Sequence, residues 1–199
     1  MISIKNHTSD PLTEIISAAR RIYPKAKVDP EDSEDQKRLV QMCIRNYELS
    51  VFTHAYAQVE ITCSWCVVQE LLSNDFDLTV KSYAVNGKGL SYITPPSVVN
   101  DDQLKSIFTK FIKKINCSIK EFSKVRKKID YRYILPGCVQ TEILISTNFL
   151  EWLRILKLQR FSRTSDELKE ILIILCQELG KICPEVFNIP NLKWKSLKT

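Results

Sequence analysis

Two groups of residues in this chain have types and spacings that support chemistry. The Cys63–Cys66 segment, C-S-W-C, places two thiols at a spacing found in redox pairs and in half of a zinc site. A zinc site needs two further ligands, and Cys43 and His54 lie upstream at no recognised ligand spacing. We therefore predict no metal site. A structural role, with both cysteines as small apolar residues of a buried helix, is favoured over a redox pair.

The second group is a basic set at a spacing of three residues. It consists of Arg154, Lys157, Arg160 and Arg163. On a helix this spacing makes a slowly drifting stripe. The stripe suits a nucleotide or flavin phosphate, but a charge run of this kind more often forms a solvated face, which we favour.

Length and composition indicate a soluble globular protein. The chain has 199 residues, of which 44% are hydrophobic and 26% charged, which is enough for a packed core. We predict one domain over residues 1–187 and a tail over residues 188–199. No apolar run is long enough to cross a membrane, and MISIKNHTSDP lacks the apolar core of a signal peptide. We therefore expect a cytoplasmic protein that does not contact a membrane.

Cysteine content predicts the state of the thiols, and net charge predicts the charge of the binding partners. Seven cysteines in a chain without a secretion signal predict reduced thiols rather than a disulfide framework. A net charge of +6 favours anionic partners such as nucleotides, nucleic acid or acidic lipid, without choosing among them.

Periodicity and capping signals predict helices around a few strands. The predicted helices cover about residues 10–23, from 33 onward, 63–75, 101–127, 148–158 and 165–183. The predicted strands cover residues 55–62, 83–93 and 139–147, with a turn at Asn86-Gly87. Ser33 and Gln36 form a predicted capping box. Glu142, in an apolar strand, requires a cationic partner, for which Arg132 is the candidate. This arrangement is an α+β fold.

Several of these segments resemble the flavin-dependent thymidylate synthases, the ThyX family. The collinear matches in the C-terminal half are Arg132, Leu135-Pro136, Thr141-Glu142 and Thr147-Asn148. Near the first predicted strand, Glu48–His54 resembles the family's His-x-Ser/Thr-x-x-Glu-His, with Ser50 and His54 matching. The resemblance covers about residues 12–187 and implies a central antiparallel sheet packed with long helices.

The resemblance also implies a chemistry and a set of site residues. It implies FAD, NADPH as the hydride source, methylenetetrahydrofolate as the one-carbon donor, and a homotetramer with active sites between subunits. The positions that it assigns to cofactor binding are Ser50, His54, Asn148 and Arg154. Gln159 stands where the family has an arginine that contacts the pyrimidine, and Arg160 follows it, so both are candidates for substrate binding. No catalytic residue is assigned.

The family's Arg-His-Arg signature is missing. Its triplet falls on Ser73-Asn74-Asp75, its serine on Val80 and its last arginine on Ser82. Arginines there form charge-assisted bonds to phosphate, and Asp75 repels an anion instead. We therefore expect a helix cap and a solvated loop at residues 73–75, and a thymidylate synthase activity that is weakened, altered or lost.

The alternative function is a non-catalytic protein on the same fold. It would bind a nucleotide, act as a scaffold or form mixed oligomers with a catalytic family member. The lysine-rich segment 105–132 also suggests nucleic-acid binding as a function. This function is less favoured because such runs usually form a solvated face.

Overall fold

The computed structural model describes residues 1–26, 29, 32–81, 90–125 and 134–188. The predicted turn at Asn86-Gly87, the candidate partner Arg132 and residues 189–199 of the predicted tail lie outside these ranges. Among the described residues, no helix has both the length and the apolar character that a membrane span requires.

Helices surround a small sheet, as the α+β prediction requires. The α-helices are α1 Pro11–Ile22, α2 Ser33–Arg45, α3 Trp65–Leu72, α4 Pro96–Val99, α5 Asp102–Val125, α6 Phe149–Lys157, α7 Asp166–Ile182 and α8 Pro184–Phe187. The strands are β1 Ile2–His7, β2 Tyr56–Ser64, β3 Thr79–Val80 and β4 Gln140–Asn148. Two 3-10 helices cover Leu49–His54 and Leu158–Arg160.

The sheet is antiparallel, with strand order β1-β2-β4-β3. In β3, Thr79 lies opposite Leu144 and Val80 opposite Ile143. Burial alternates along the two long strands: Val59 and Ile145 are buried, whereas Gln58 is half-buried and Ser146 exposed. One face of the sheet is therefore packed in the core, which is the usual arrangement for an antiparallel sheet.

Contacts divide the described chain into two compact units, and β2 and β4 each contribute to both. The first unit comprises Met1, Ile61–Leu144 and Ser165–Leu168, and the second comprises Ile2–Glu60, Ile145–Thr164 and the segment from Lys169. In the first unit the buried apolar residues include Ile61, Cys63, Val67, Val68, Leu71, Val139 and Ile143. In the second they include Ile15, Leu39, Phe52, Phe149, Trp152, Leu172 and Leu175. The single domain over residues 1–187 stays a prediction.

Local capping explains where the helices begin. The Asp10 carboxylate accepts a hydrogen bond from the Thr13 N–H at 3.1 Å and opens α1 as predicted. The α2 N-cap is Asp32, whose carboxylate accepts from the Glu34 N–H at 2.8 Å. The predicted capping box was therefore placed one residue too late, because the carboxylate of Asp32 already satisfies the free N–H groups there.

Three further boundaries differ from the prediction. The helix expected from Cys63 begins at Trp65, because β2 continues through Ser64 before the chain turns. Thr79–Val80, expected as loop, is the short strand β3. Residues 2–7, for which no element was predicted, form β1. Each of these segments owes its conformation to pairing with a distant strand, which local propensity does not report.

The long helix α5 agrees with its predicted range but exposes its apolar stripe. Ile107 is 56% exposed, Phe111 49% and Phe122 46%, whereas Ile119 is buried. Most amphipathic helices bury such a stripe against their own core. Helix α5 therefore presents an apolar surface outward.

Candidate functional site

A single backbone hydrogen bond brings two of the predicted cofactor-binding residues together. The Phe149 N–H donates to the carbonyl oxygen of Ala55 at 2.8 Å. Ala55 directly follows His54, and Phe149 directly follows Asn148. The end of the Leu49–His54 3-10 helix therefore lies beside the start of α6. We call this place the His54–Asn148 junction.

Asn148 serves the junction as the N-cap of α6. Its side-chain oxygen accepts a hydrogen bond from the Glu151 N–H at 2.9 Å. In the part of the chain that the structure describes, its amide nitrogen makes no hydrogen bond and remains a donor for a ligand. The buried Trp152, one helical turn after Asn148, also fixes the start of α6, because its indole N–H donates to the carbonyl oxygen of Ala57 at 3.1 Å. Because the side-chain oxygen of Asn148 is engaged in the cap, the orientation of the Asn148 side-chain amide is fixed.

A pocket of about 390 Å³ lies between α1 and the Leu49–His54 3-10 helix. It is lined by Glu14, Ser17, Ala18, Arg21, Ile22, Ser50, Val51 and His54. The lining combines a carboxylate, a guanidinium, two hydroxyls and an imidazole, and the side chains of Ser50 and His54 are exposed. Such a set can hold a polar ligand by hydrogen bonds and can offer one cation to an anionic group.

The two charged residues of the pocket, Glu14 and Arg21, were not among the predicted site residues. Glu14 and Arg21 lie on α1 two turns apart, so both project from one side of the helix. The segment Ala18–Tyr23 resembles the Ala-Arg-x-Ser/Cys stretch of the ThyX family, and that resemblance was the available signal. The resemblance did not show which of the adjacent residues Arg20 and Arg21 lines the pocket.

Four of the six predicted site residues, among them Asn148, do not line the pocket. Arg154 is exposed on α6 and pairs with the Glu151 carboxylate. Gln159 and Arg160 lie in the 3-10 helix that follows α6, and both are exposed. The predicted basic stripe is therefore interrupted, because the helical geometry changes after Lys157 and Arg163 lies in a turn beyond it.

Comparison with known proteins identifies the family of this chain. A protein-family model described as "Thymidylate synthase complementing protein" matches residues 3–185. The chain belongs to this family. A comparison with curated proteins found no match. The matched range includes Ser50, His54 and Asn148, and also residues 73–82, where the resemblance predicts the family signature to fall.

In this ThyX-family chain, the signature position forms the end of α3. The Ser73 hydroxyl and the Asn74 side-chain amide both donate to the carbonyl oxygen of Glu70, each at 2.8 Å. Asp75 has a left-handed backbone with φ 60°. Its N–H donates to the carbonyl of Leu72 at 3.1 Å, in the pattern of a Schellman cap. The predicted helix cap with a solvated loop is confirmed, since all three residues are exposed.

The family's Thr-Glu match on β4 has a cationic partner among the described residues. The Glu142 carboxylate pairs with the Lys81 ammonium at 2.6 Å. The Thr141 hydroxyl donates to the carbonyl oxygen of Lys81 at 3.1 Å, so both neighbours on β4 contact the same residue. Arg132 lies outside the described residues. The pair is half-exposed, which indicates a structural role for Glu142.

The two cysteines of the C-S-W-C segment lie in different environments. Cys63 is the second-last residue of β2 and is fully buried, and burial raises the pKa of its thiol to about 12. Cys66 lies in the first turn of α3 and is exposed. The structural interpretation thus holds for Cys63 and is wrong for Cys66. Among the described residues, no group of His, Cys, Asp and Glu side chains has the geometry of a metal site.

Proposed function

We propose that this ThyX-family protein binds FAD at the His54–Asn148 junction and has little or no turnover of deoxyuridylate. The hydrogen bond between Phe149 and Ala55 supports the proposal, because it joins the residues that follow Asn148 and His54, two positions that the family resemblance assigns to cofactor binding. The adjacent pocket adds Ser50, the third matching position. Family membership supplies the thymidylate synthase-like class of reaction.

The residues of the junction and those of the adjacent pocket together suit a flavin nucleotide. The Arg21 guanidinium offers charge-assisted hydrogen bonds to a phosphate, while Ser50, His54 and the Asn148 amide offer hydrogen bonds to ribityl or ring atoms. A pocket of about 390 Å³ matches part of a cofactor of this size. A bound flavin supplies hydride transfer, and the chain's own residues bind and orient it. NADPH and methylenetetrahydrofolate are the co-substrates if the reaction is retained.

Deoxyuridylate is expected to bind poorly because the signature position offers no cation. Ser73, Asn74 and Asp75 use their side chains and backbone to end α3, and Asp75 adds a negative charge. Each charge-assisted hydrogen bond that is lost costs about 1.5–3 kcal/mol. Losing several of them removes both the affinity for the phosphate and the orientation of the ring, and orientation alone lowers a barrier by several kcal/mol.

Flavin binding is tested by titrating the purified protein with FAD and following flavin fluorescence. Asn148→Ser keeps a capping oxygen for α6 but removes the amide donor, so it is expected to weaken FAD binding about three- to tenfold without unfolding the helix. Ser162→Ala, in the exposed turn after α6, is the control and should bind as the wild type does. A wild-type protein that stays colourless and does not quench FAD fluorescence contradicts the proposal.

Turnover is tested separately with FAD, NADPH, methylenetetrahydrofolate and deoxyuridylate. We expect product formation far below about 1 s⁻¹ and no rescue of thymidine-requiring cells. Turnover within about tenfold of that rate would show that other cations hold the nucleotide, with Arg154 and Arg160 as the first to examine.

A scaffold role is the second candidate, and the exposed stripe of α5 favours it. Ile107, Phe111 and Phe122 present an apolar surface on a 24-residue helix, and such surfaces usually mark association. We propose a homo-oligomer, most simply the tetramer implied by the family, and mixed oligomers with a catalytic relative if flavin does not bind. Lys110 and Lys114 are exposed on the same helix, but nucleic-acid binding is the less favoured alternative. A steep salt dependence of binding would distinguish it from binding of a free nucleotide.

A further inference from the structure

Cys66 is held against a tight turn that contains a second cysteine. The Cys66 N–H donates to the carbonyl oxygen of Gly137 at 2.9 Å, and the preceding Trp65 N–H donates to that of Val139 at 2.9 Å. The Val139 N–H donates to the carbonyl oxygen of Pro136 at 3.1 Å and closes the turn. Cys138 is the residue between the two acceptors. The start of α3 is therefore hydrogen-bonded to the residue before Cys138 and to the residue after it.

Backbone dimensions place the two cysteines within reach of each other. The Gly137 oxygen that accepts from Cys66 belongs to the peptide group that leads into Cys138. With standard bond lengths, the Cα atoms of Cys66 and Cys138 are at most about 7.2 Å apart. Disulfides span Cα separations of about 4.4–6.8 Å. The hydrogen bond therefore holds the two residues at a separation that overlaps the range of disulfides.

The side chain of Cys66 points toward the turn. A Cβ atom built on Gly137 would come within 2.3 Å of the Cys66 sulfur. This distance is far too short for two atoms that are not bonded, so any side chain at position 137 would displace the thiol. The sulfur therefore lies over the turn beside Gly137, the residue before Cys138, while Cys66 as a whole is exposed.

We propose that Cys66 and Cys138 are a redox-sensitive pair that forms an intramolecular disulfide when the protein meets a peroxide. The Cys66 thiolate attacks one oxygen of the peroxide and the O–O bond breaks, so the sulfur takes that oxygen as sulfenic acid. The other oxygen leaves as hydroxide, which takes up the proton released by the thiol and becomes water. The Cys138 thiol then attacks the sulfenic sulfur, the S–S bond forms and a second water leaves. In total two thiols lose two electrons, and one hydrogen peroxide becomes two water molecules.

Exposure decides the order of the two steps. Cys66 is exposed and accessible to a peroxide, whereas Cys138 is half-buried and serves as the resolving thiol. Burial, with the Glu167 carboxylate as a further contribution, raises the pKa of both thiols. Little thiolate is present near neutral pH, so the pair reacts slowly, which suits a response to sustained oxidation and not catalytic redox turnover.

Other cysteines are poorly placed to compete for Cys66. Cys63 is fully buried near the end of β2, so the C-S-W-C spacing does not make it the partner. Cys117 is exposed on α5 and is available for bonds between molecules. The proposed disulfide encloses residues 67–137, which include Ser73–Asp75 at the position of the family signature.

Peptide mapping of the full-length protein tests the proposal. The reduced protein is treated with hydrogen peroxide, unfolded without reductant, alkylated and digested. We expect two of the seven thiols to become resistant to alkylation and a single crosslinked peptide pair to contain Cys66 and Cys138. The midpoint of thermal unfolding should rise by several degrees, because the bond closes a long loop, and dithiothreitol should reverse the rise.

Matched variants separate this pair from general oxidation. Cys66→Ser and Cys138→Ser should each abolish the crosslink and the thermal shift, whereas Cys117→Ser should retain both. Mapping of the wild type decides the question even if a variant fails to fold. A dominant Cys63–Cys66 crosslink, a dimer linked through Cys117, or sulfinic acid at Cys66 without a crosslink would each overturn the proposal.

Discussion

The Glu70 carboxylate accepts hydrogen bonds from both the backbone N–H and the hydroxyl of Ser165, at 3.1 and 2.7 Å. Ser165 precedes α7 and caps it, since its hydroxyl oxygen accepts from the Leu168 N–H at 3.3 Å. In the reverse direction, the Glu167 carboxylate of α7 accepts from the N–H of Ser64, the N-cap of α3, at 2.8 Å. Helices α3 and α7 therefore each supply a carboxylate to the N-cap residue of the other. This is the function that a capping box performs within one helix.

Removing the Glu70 carboxylate should destabilise this pair of helix starts. Glu70→Ala leaves the Ser165 N–H without its acceptor, and we expect a loss of about 1–2 kcal/mol in the free energy of unfolding. Urea unfolding measures it. Glu170→Ala, an exposed carboxylate on α7, is the matched control and should change stability by less than about 0.5 kcal/mol. Equal effects of the two variants would show that the hydrogen bonds to Ser165 contribute little.

Tyr47 should be replaceable with a gain in stability. It follows α2 with φ 63° and is 64% exposed. A left-handed backbone strains a residue that has a Cβ atom, and glycine adopts it freely. We expect Tyr47→Gly to stabilise the protein by about 0.5–1 kcal/mol, whereas Tyr47→Ala, which keeps the Cβ atom, should give no gain. Thermal unfolding of the two variants decides the matter, and an unchanged Tyr47→Gly midpoint would contradict the prediction.

Alkaline pH should destabilise the protein through its buried thiols. Burial, followed by the Glu167 carboxylate, raises the pKa of Cys63 from 9.0 to about 12. Below pH 9 both the folded and the unfolded state keep this proton, so the full stability is present. Above pH 9 the unfolded chain releases the proton and the folded chain does not, so stability falls until about pH 12.

The pH dependence is measured by urea unfolding between pH 8 and 11 in the presence of a reductant. The fall should approach about 1.4 kcal/mol per pH unit for each such thiol. Cys63→Ala removes one titrating group and should make the fall shallower, even though the variant starts from a lower stability. A slope that does not change in Cys63→Ala would show that other groups dominate.

The exposed stripe of α5 should control self-association. Phe111→Glu places a charge on an apolar residue that is already 49% exposed, so the fold should lose little stability. We expect this variant to sediment as a smaller species than the wild type at micromolar concentration. Lys110→Glu, on the same helix but off the stripe, is the control for charge alone. A wild type that is a stable monomer at that concentration would remove the basis for the oligomer.

The sequence by itself determined the elements that depend on nearby residues. Asp10, Asn148 and Ser165 were recognised as helix starts because a cap satisfies N–H groups only two or three residues away. The range of α5 followed from its period of apolar residues. The helix end at Ser73–Asp75 was also predicted, because the loss of arginines left only side chains that terminate helices.

Only the tertiary structure decided the features that depend on distant partners. Glu142 pairs with Lys81, 61 residues away, and no local pattern indicates which lysine or arginine a strand will bring opposite it. The short strand β3 exists because β4 offers it hydrogen bonds. The C-S-W-C segment shows the same limit, because the boundary between β2 and α3 falls inside it. That boundary buries Cys63, turns Cys66 toward Gly137 and so determines which thiols can meet.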